Sequence, residues 1–399
     1  NTVLQTTTKS TLTSILDLTY KKSIEIQGFF YAEMLKYKTL SEDELNPIAR
    51  VAWIDNLGHN IIDHVSIRIG GTEIDKQYGD FLHIWNSLTM SIEKRATYNK
   101  MIGNVTTLTS SERVIKPEYT MYVPLQFWFC KNIGISLPII ALQYETISLE
   151  FMFKKFSQCM YYKELSDNEL ASANTRKTRI QALELPDLDT YWQNANKQLK
   201  AELLVDYIYL SKEERCKFAK SSHEYLIEQT QMISFDDIQK QNLYSFVLNF
   251  KLACKELLWV LQNQKYTIVT DNNDLLNWNQ YQTYDADINK SNNITRCAIQ
   301  YQDMQITPLL DAKYYNCTQP YKYHSGNPDK GIYCYSFCLK PEEFQPTGIA
   351  NLWVIPKVTL QIETDAKGQP EPNLYNARIY AINYNVLRII SGRCGLAFT

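Results

Sequence analysis

Histidine, cysteine and carboxylate side chains carry most proton-transfer and metal chemistry at neutral pH, so their spacing in this 399-residue chain is weighed first. The histidines are His59, His64, His83, His223 and His324. None stands in HxH, HExxH or His/Cys spacing, the patterns that bring imidazoles to one metal ion. His59 and His64 with Asp63 come nearest. Asp63 and His64 abut a strand pattern, however, and no metal is expected there. His223, in SSHEYL, is expected to make a structural hydrogen bond. There is no GxSxG, P-loop or GxGxxG to activate a serine or cradle a phosphate. Glu213-Glu214 and Glu342-Glu343 read as solvated faces, and Lys94-Arg95 is too short to be a nucleic-acid stripe. No catalytic, metal or cofactor-binding residue is therefore expected, and the chain is not expected to be an enzyme.

The cysteines are Cys130, Cys159, Cys216, Cys254, Cys297, Cys317, Cys334, Cys338 and Cys394. The number is odd and no pair has CxxC spacing, so free buried thiols in a reducing compartment are expected. Cys334 and Cys338 lie too far apart along one strand to form a metal pair. Asn104, Asn289, Asn293 and Asn316 each open an Asn-x-Ser/Thr triplet, the N-glycosylation acceptor. Lys and Arg total 41 against 43 Asp and Glu, a net charge of −2, which argues against broad electrostatic capture of nucleic acid. There is no evident signal peptide and no apolar run of membrane-spanning length.

The elements that would position these groups are mostly strands. In Tyr122–Phe153, Met121, Val123, Leu125, Phe127 and Phe129 alternate with polar or partly polar residues, and Ile147, Leu149, Phe151 and Phe153 do the same. Period-two patterning predicts two strands. The first is apolar on nearly both faces, which predicts burial on both sides. Val65, Ile67 and Ile69 mark another strand, followed by a Gly70-Gly71 turn. Phe81, Leu82, Trp85 and Leu88–Ile92 recur at helical spacing, so helix is predicted within Gly79–Met101. Residues 40–46, 157–200 and 270–293 read as loops or irregular segments. Lys212–Lys220 reads as a helix with Ser211 as its N-cap. Strands are again expected at 225–233, 243–252, 257–261, 296–306, 331–339, 357–363 and 377–390. The 28 Tyr, 15 Phe and 7 Trp favour strands and protein interfaces.

Two echoes connect the halves. VSIRIGGTEI (65–74) aligns without gaps to CAIQYQDMQI (297–306). Tyr122–Phe153 has the same plan as Ile332–Ile362: aromatic strand, turn with Pro and Gly, short apolar segment, alternating strand. The order is the same in both halves, so two copies of one β-domain are expected in tandem.

Five blocks, in family order, then identify a resemblance: VSIRIGGTEIDKQYGDFLHIWNSL (65–88), YVPLQFWFCKNIGISLPIIALQYETISLEF (122–151), VDYIYLSKEERCKFAKSSHEYLIEQTQ (205–231), GIYCYSFCLKPEEFQPTG (331–348) and YAINYNVLRIISGRCGLAF (380–398). The chain resembles the double jelly-roll major capsid proteins of large nucleocytoplasmic DNA viruses, such as phycodnaviruses, mimivirus relatives and iridoviruses. It departs from their pattern at QYQDMQITPLLDAKYY (300–315) and at Gly392-Arg393-Cys394-Gly395. The resemblance implies an all-β fold of two tandem eight-stranded jelly rolls with short inserted helices. The first would span 1–211, a helical linker 212–224, and the second 225–399. It also implies a homotrimer whose pseudo-hexagonal capsomers tile an icosahedral virion shell, assembled in the host cytoplasm. Its partners would be neighbouring capsomers, minor capsid and penton proteins, and an internal membrane nearby, with no direct nucleic acid. Trp128 and Phe129 are expected to pack at a jelly-roll contact that a Trp128→Ala change would weaken in the trimer. The alternative is a glycan-binding or adhesion module on a virion surface, with Trp278 and Tyr281 stacking on sugar. A cupin-like metalloenzyme would need a histidine cluster that the spacing lacks.

Overall fold

The computed structural model describes residues 14–26, 49–110, 117–164, 200–239, 241–267, 277–281, 293–302, 304–328, 331–364 and 374–398. Loop readings at 40–46 and 282–292, with Asn289, lie outside these residues. The first eight strands are β1 (Ser14–Ile26), β2 (Ala49–Trp53), β3 (Ile62–Ile69), β4 (Thr72–Tyr78), β5 (Tyr119–Val123), β6 (Ile147–Phe153), β7 (Met160–Glu164) and β8 (Lys200–Tyr209). Those that follow are β9 (His223–Gln239), β10 (Leu243–Leu248), β11 (Ala253–Asn263), β12 (Arg296–Tyr301), β13 (Met304–Gln305), β14 (Leu310–Asp311), β15 (Ile332–Ser336), β16 (Ala350–Asn351), β17 (Val358–Glu363), β18 (Leu374–Ile390) and β19 (Arg393–Leu396). Short helices sit between them: α1 (Leu57–Asn60), α2 (Gly79–Thr89), α3 (Ile92–Met101), α4 (Thr106–Thr109), α5 (Trp128–Lys131), α6 (Lys212–Lys220) and α7 (Gln319–Tyr323).

The pairing repeats. Sheet order β4-β3-β6 in the N-terminal half matches β13-β12-β17 in the C-terminal half. Likewise β5-β1-β8 matches β15-β11-β18. The two hairpins read from the sequence echo, β3–β4 and β12–β13, occupy equivalent places. Their turns use left-handed backbone at Gly70 and Gly71 in one and at Gln302 in the other. All described pairings are antiparallel, and no described strand of one half pairs with the other. At the junction, Ser211 Oγ accepts from Glu214 N at 3.4 Å and Glu214 Oε2 accepts from Ser211 N at 2.9 Å. This reciprocal box starts α6 as the sequence predicts.

Two sequence expectations of the fold fail, the first being the irregular reading of 157–200, where Met160–Glu164 forms β7. The second is the aromatic strand predicted through Phe129, which ends at Val123. Pro124 has no N–H for a ladder, so pairing stops there. The Gln126 N–H instead donates to the Gln77 side-chain oxygen at 3.0 Å, and Trp128 opens α5. Leu125, Phe127, Trp128 and Phe129 are all buried, because the segment turns inward. Burial on both faces falls on β11, where every residue from Cys254 to Asn263 is buried.

Three apolar cores explain this. One fills the N-terminal half around Val65, Ile67, Phe127, Trp128 and Phe151. A second fills the C-terminal half around Leu257, Trp259, Tyr333 and Leu360. The third joins them: Phe81, Ile84, Trp85 and Leu88 of α2 pack on Leu258, Val260, Ile332, Cys334, Tyr380 and Ile382. Alternate residues of β11 thus face opposite cores. The 17-residue β18 contributes to all three, with Leu387 and Ile389 in the first, Ala377 and Ile379 in the second, and Tyr380 and Ile382 in the third.

Candidate functional site at the seam between the halves

Polar groups tie the two halves together along the seam, and the first set faces Trp85 of α2. Lys131 at the end of α5 donates to Glu228 Oε2 of β9 at 2.7 Å, and Lys255 of β11 bonds the other Glu228 oxygen. The Lys131 and Lys255 ammonium groups lie 4.8 Å and 5.6 Å from the centre of the Trp85 ring. A cation over an indole face is favourable, more so once desolvated. Lys255 is 1% exposed. Burial alone pushes the Glu228 carboxyl up, but Lys131 and Lys255 overcome it and hold it down at about 2.

A second bridge runs from β4 to β9. Asp75 Oδ1 accepts from Thr230 N at 2.8 Å, and the Gln229 amide donates to Ile74 O. Asn385 of β18 donates to Gln229 Oε1 at 2.8 Å. Burial pushes the Asp75 carboxyl up to about 7, against the pull of the Thr230, Lys76 and Gln77 hydrogen bonds and of Lys131. A raised carboxyl means the folded state holds its proton where the unfolded chain, near 3.8, has lost it. Stability from this group is complete below pH 3.8 and is lost as pH rises through 7. Asp75→Asn keeps an acceptor for Thr230 and removes the titration. The expected outcome is a melting temperature close to the parent's at pH 4 and above it at pH 8. Parallel melts across that range check it, and a constant difference would refute the assignment.

A third set ties the loop after α7 to α2 and α3. Gly326 N donates to Leu88 O at 2.7 Å, Ser325 Oγ to Thr89 O at 2.8 Å, and the Arg95 guanidinium to Asn327 O at 2.7 Å. A Cβ on Gly326 would stand 2.4 Å from Leu88 O, so only glycine permits this approach. The loop places His324 against the seam face of the C-terminal sheet. His324 Nε2 meets Glu256 Oε1 of β11 at 2.6 Å, and Nδ1 meets Glu342 Oε1 at 3.2 Å. Cys334 of β15 completes the cluster: one ligand atom each from Glu256, His324 and Cys334 lie within 4.8 Å of one another. Burial works against charge on His324, yet Glu256 and the neighbouring hydrogen bonds raise the imidazole to about 12. Sequence reasoning missed this cluster because 68 residues separate Glu256 from His324 and no local spacing records the meeting.

The residues singled out by sequence land elsewhere. His59 is buried and meets Tyr98 OH through Nε2 at 2.7 Å, while His64 pairs with the adjacent Asp63 at 2.7 Å. Burial, then His83, lowers His59 to about 3. His223 Nε2 meets Phe218 O at 2.7 Å, as a structural bond. Glu342 is not a simple solvated carboxylate, since it accepts from Ser325 N at 2.8 Å as well as meeting His324. All nine cysteines are free, and five of them are buried. Trp278 donates through Nε1 to Gln158 O at 2.8 Å and carries the Lys154 ammonium 4.1 Å over its ring. Tyr281 is buried in the seam core. Neither ring presents an open sugar platform.

The acceptor asparagines are engaged too. Asn293, expected in an exposed loop, is 7% exposed, and its Nδ2 donates to Leu261 O and Tyr281 O. The Nδ2 of Asn104 donates to Asn56 Oδ1 and that of Asn316 to Ile332 O. A glycan on Asn293 would take one of the two amide hydrogens that its bonds to Leu261 O and Tyr281 O use. Among the described residues no helix is long and apolar enough to cross a membrane.

Comparison with known proteins follows the same division. Residues 18–211 match the family described as major capsid protein N-terminus. Residues 214–395 match the large eukaryotic DNA virus major capsid protein. The chain is 32% identical to a major capsid protein of Phaeocystis pouchetii virus, over 87% of this chain and 82% of that one. It is 33% identical to a major capsid protein of Pyramimonas orientalis virus, over 86% of this chain and 77% of that one. Among solved structures, PBCV-1 VP54, fitted into a cryo-EM reconstruction of the virophage Sputnik, superposes with a TM-score of 0.71 at 24% identity. The superposition covers 98% of this chain and 91% of that one.

Proposed function

Because the chain belongs to the major capsid proteins of large eukaryotic DNA viruses and has their double jelly-roll fold, we propose that it assembles as a homotrimer whose pseudo-hexagonal capsomers tile an icosahedral shell. Its role in the virion capsid is structural. The jelly rolls are assigned to 1–211 and 225–399, with 212–224 as the linker. The observation that carries the trimer is the seam. Two sandwiches of matching topology share a buried core through α2, so one chain presents two similar faces at a fixed angle. Three such chains around an axis give six near-equivalent edges without any change of shape. Neighbouring capsomers, minor capsid and penton proteins, and an internal membrane are the proposed contacts, in particles assembled in the host cytoplasm. No catalytic step enters this reading.

An apolar groove of about 640 Å³, lined by Leu226, Leu252, Ile349, Trp353, Tyr384 and Phe398, supports it. Trp353 and Phe398 are 58% and 59% exposed in the single chain. Large open apolar side chains around a groove mark protein contacts, and tryptophan is a frequent anchor. Sedimentation of the purified chain is expected to give three times its 46.6 kDa mass. Trp353→Asp is expected to shift it toward monomer while the chain keeps its β-rich far-ultraviolet circular dichroism. A parent protein that sediments only as monomer under assembly conditions would overturn the trimer.

A further inference from the structure

We propose that Glu256, His324 and Cys334 form a zinc site that braces the seam. The three come from β11, the loop after α7, and β15, and their nearest ligand atoms lie within 4.8 Å of one another. Zinc takes imidazole nitrogen at about 2.0 Å, thiolate at about 2.3 Å and carboxylate oxygen at about 2.0–2.2 Å. Small side-chain movements bring these atoms to such distances. The mixed nitrogen, sulfur and oxygen set suits zinc and disfavours magnesium or calcium, which take oxygen donors.

Two further observations point to a cation. Among the described residues Glu256 Oε2 is buried with no hydrogen-bond partner, although Oε1 meets His324. A buried carboxylate oxygen without a partner is unfavourable, and a metal bound by both oxygens would satisfy it. The second is the partner of the other imidazole nitrogen. Glu342 Oε1 sits 3.2 Å from His324 Nδ1 and is itself held by Ser325 N at 2.8 Å. A carboxylate behind a histidine in this way fixes the ring and aims the far nitrogen at a metal. One thiolate and one carboxylate would neutralise a dication, which suits a buried site whose Cys334 belongs to an apolar core. Glu342 is more open to solvent than His324.

The loop that carries His324 also carries the Ser325, Gly326 and Asn327 ties to α2 and α3. A metal there would join that loop to β11 and β15 through ligand bonds, fixing the two jelly rolls against each other. On binding, the thiol and Nε2 give up their protons.

The full chain, stripped with a chelator, is titrated with cobalt and then zinc. One cobalt per chain is expected, with tetrahedral visible absorption and a near-ultraviolet thiolate-to-cobalt band, both erased by zinc. Cys334→Ser is expected to lose the band, and Cys216→Ser, on an exposed helix, to keep it. Should Cys334→Ser fail to fold, the parent decides alone. Saturating zinc, but not magnesium, is expected to raise its melting temperature by roughly 5 °C or more. No bound cobalt, a band that survives Cys334→Ser or disappears in Cys216→Ser, or no zinc-dependent shift would each overturn the site.

Discussion

Replacing Glu228 with alanine is expected to destabilise the chain by roughly 3–5 kcal/mol, among the largest effects of any single polar substitution in it. Glu228 bridges two ammonium groups, and one of them, Lys255, is 1% exposed between Trp85 and Tyr384. Removing the carboxylate leaves Lys255 charged with no anion beside it, or forces it to lose its proton. Either outcome acts against the folded state alone. Lys131 is less affected, because it is partly open to water. The loss is read as a fall in denaturant midpoint with an unchanged slope. A Glu228→Met, Lys255→Met double variant is expected to recover much of it, since the apolar pair leaves only Lys131, which water reaches, without its partner. A change under about 1 kcal/mol in Glu228→Ala would mean that water reaches Lys255 and that the bridge does not hold the seam.

Trp128→Ala is expected to act at similar scale, about 3–5 kcal/mol, by opening a cavity. Trp128 is 2% exposed, and its ring meets Phe129 edge-on at 4.8 Å. Phe127 and Phe129 stack at 5.4 Å beside it. The sequence reading placed Trp128 at or near a jelly-roll contact, where its loss would loosen a trimer. The structure places it inside one chain, within the core that also takes Ile227, Leu387 and Ile389 from the C-terminal half. The melting temperature of the isolated chain should therefore fall, whatever the association state. An unchanged melt with weakened association would restore the intermolecular reading.

The two readings of Trp128 show which parts of the fold local sequence records. The β3–β4 hairpin was legible because alternation, a double-glycine turn and a partner strand are local. So was α6, whose Ser211–Glu214 box lies within one turn. The duplication was legible because both copies keep the same order. Beyond Val123 the alternation persisted without a strand, since buried aromatics alternate in any extended segment and only Pro124 marked the end of the ladder. The helical period in 79–89 was visible, but what Trp85 and Leu88 pack against was not. The same holds for His324: its meeting with Glu256 and Cys334 exists only once β11, β15 and the loop after α7 are folded together. Asn293 fails similarly, since a polar stretch does not reveal that one amide turns inward to cap Leu261 and Tyr281.

The double-sided burial of β11 and β18 has a consequence for how the chain is made. Synthesis runs from the N-terminus, so Phe81, Ile84, Trp85 and Leu88 leave the ribosome well before the sheet that covers them. The N-terminal sandwich lacks Ile227, Leu387 and Ile389 of its core until the C-terminal half is made, and its helix must wait with an apolar stripe in water. The C-terminal half, separated from it, would bare Leu258, Val260, Tyr380 and Ile382 in turn. Neither copy of the ancestral domain is now self-sufficient: each is the other's missing wall, and the newly made polypeptide needs protection from its siblings until the last strand has docked.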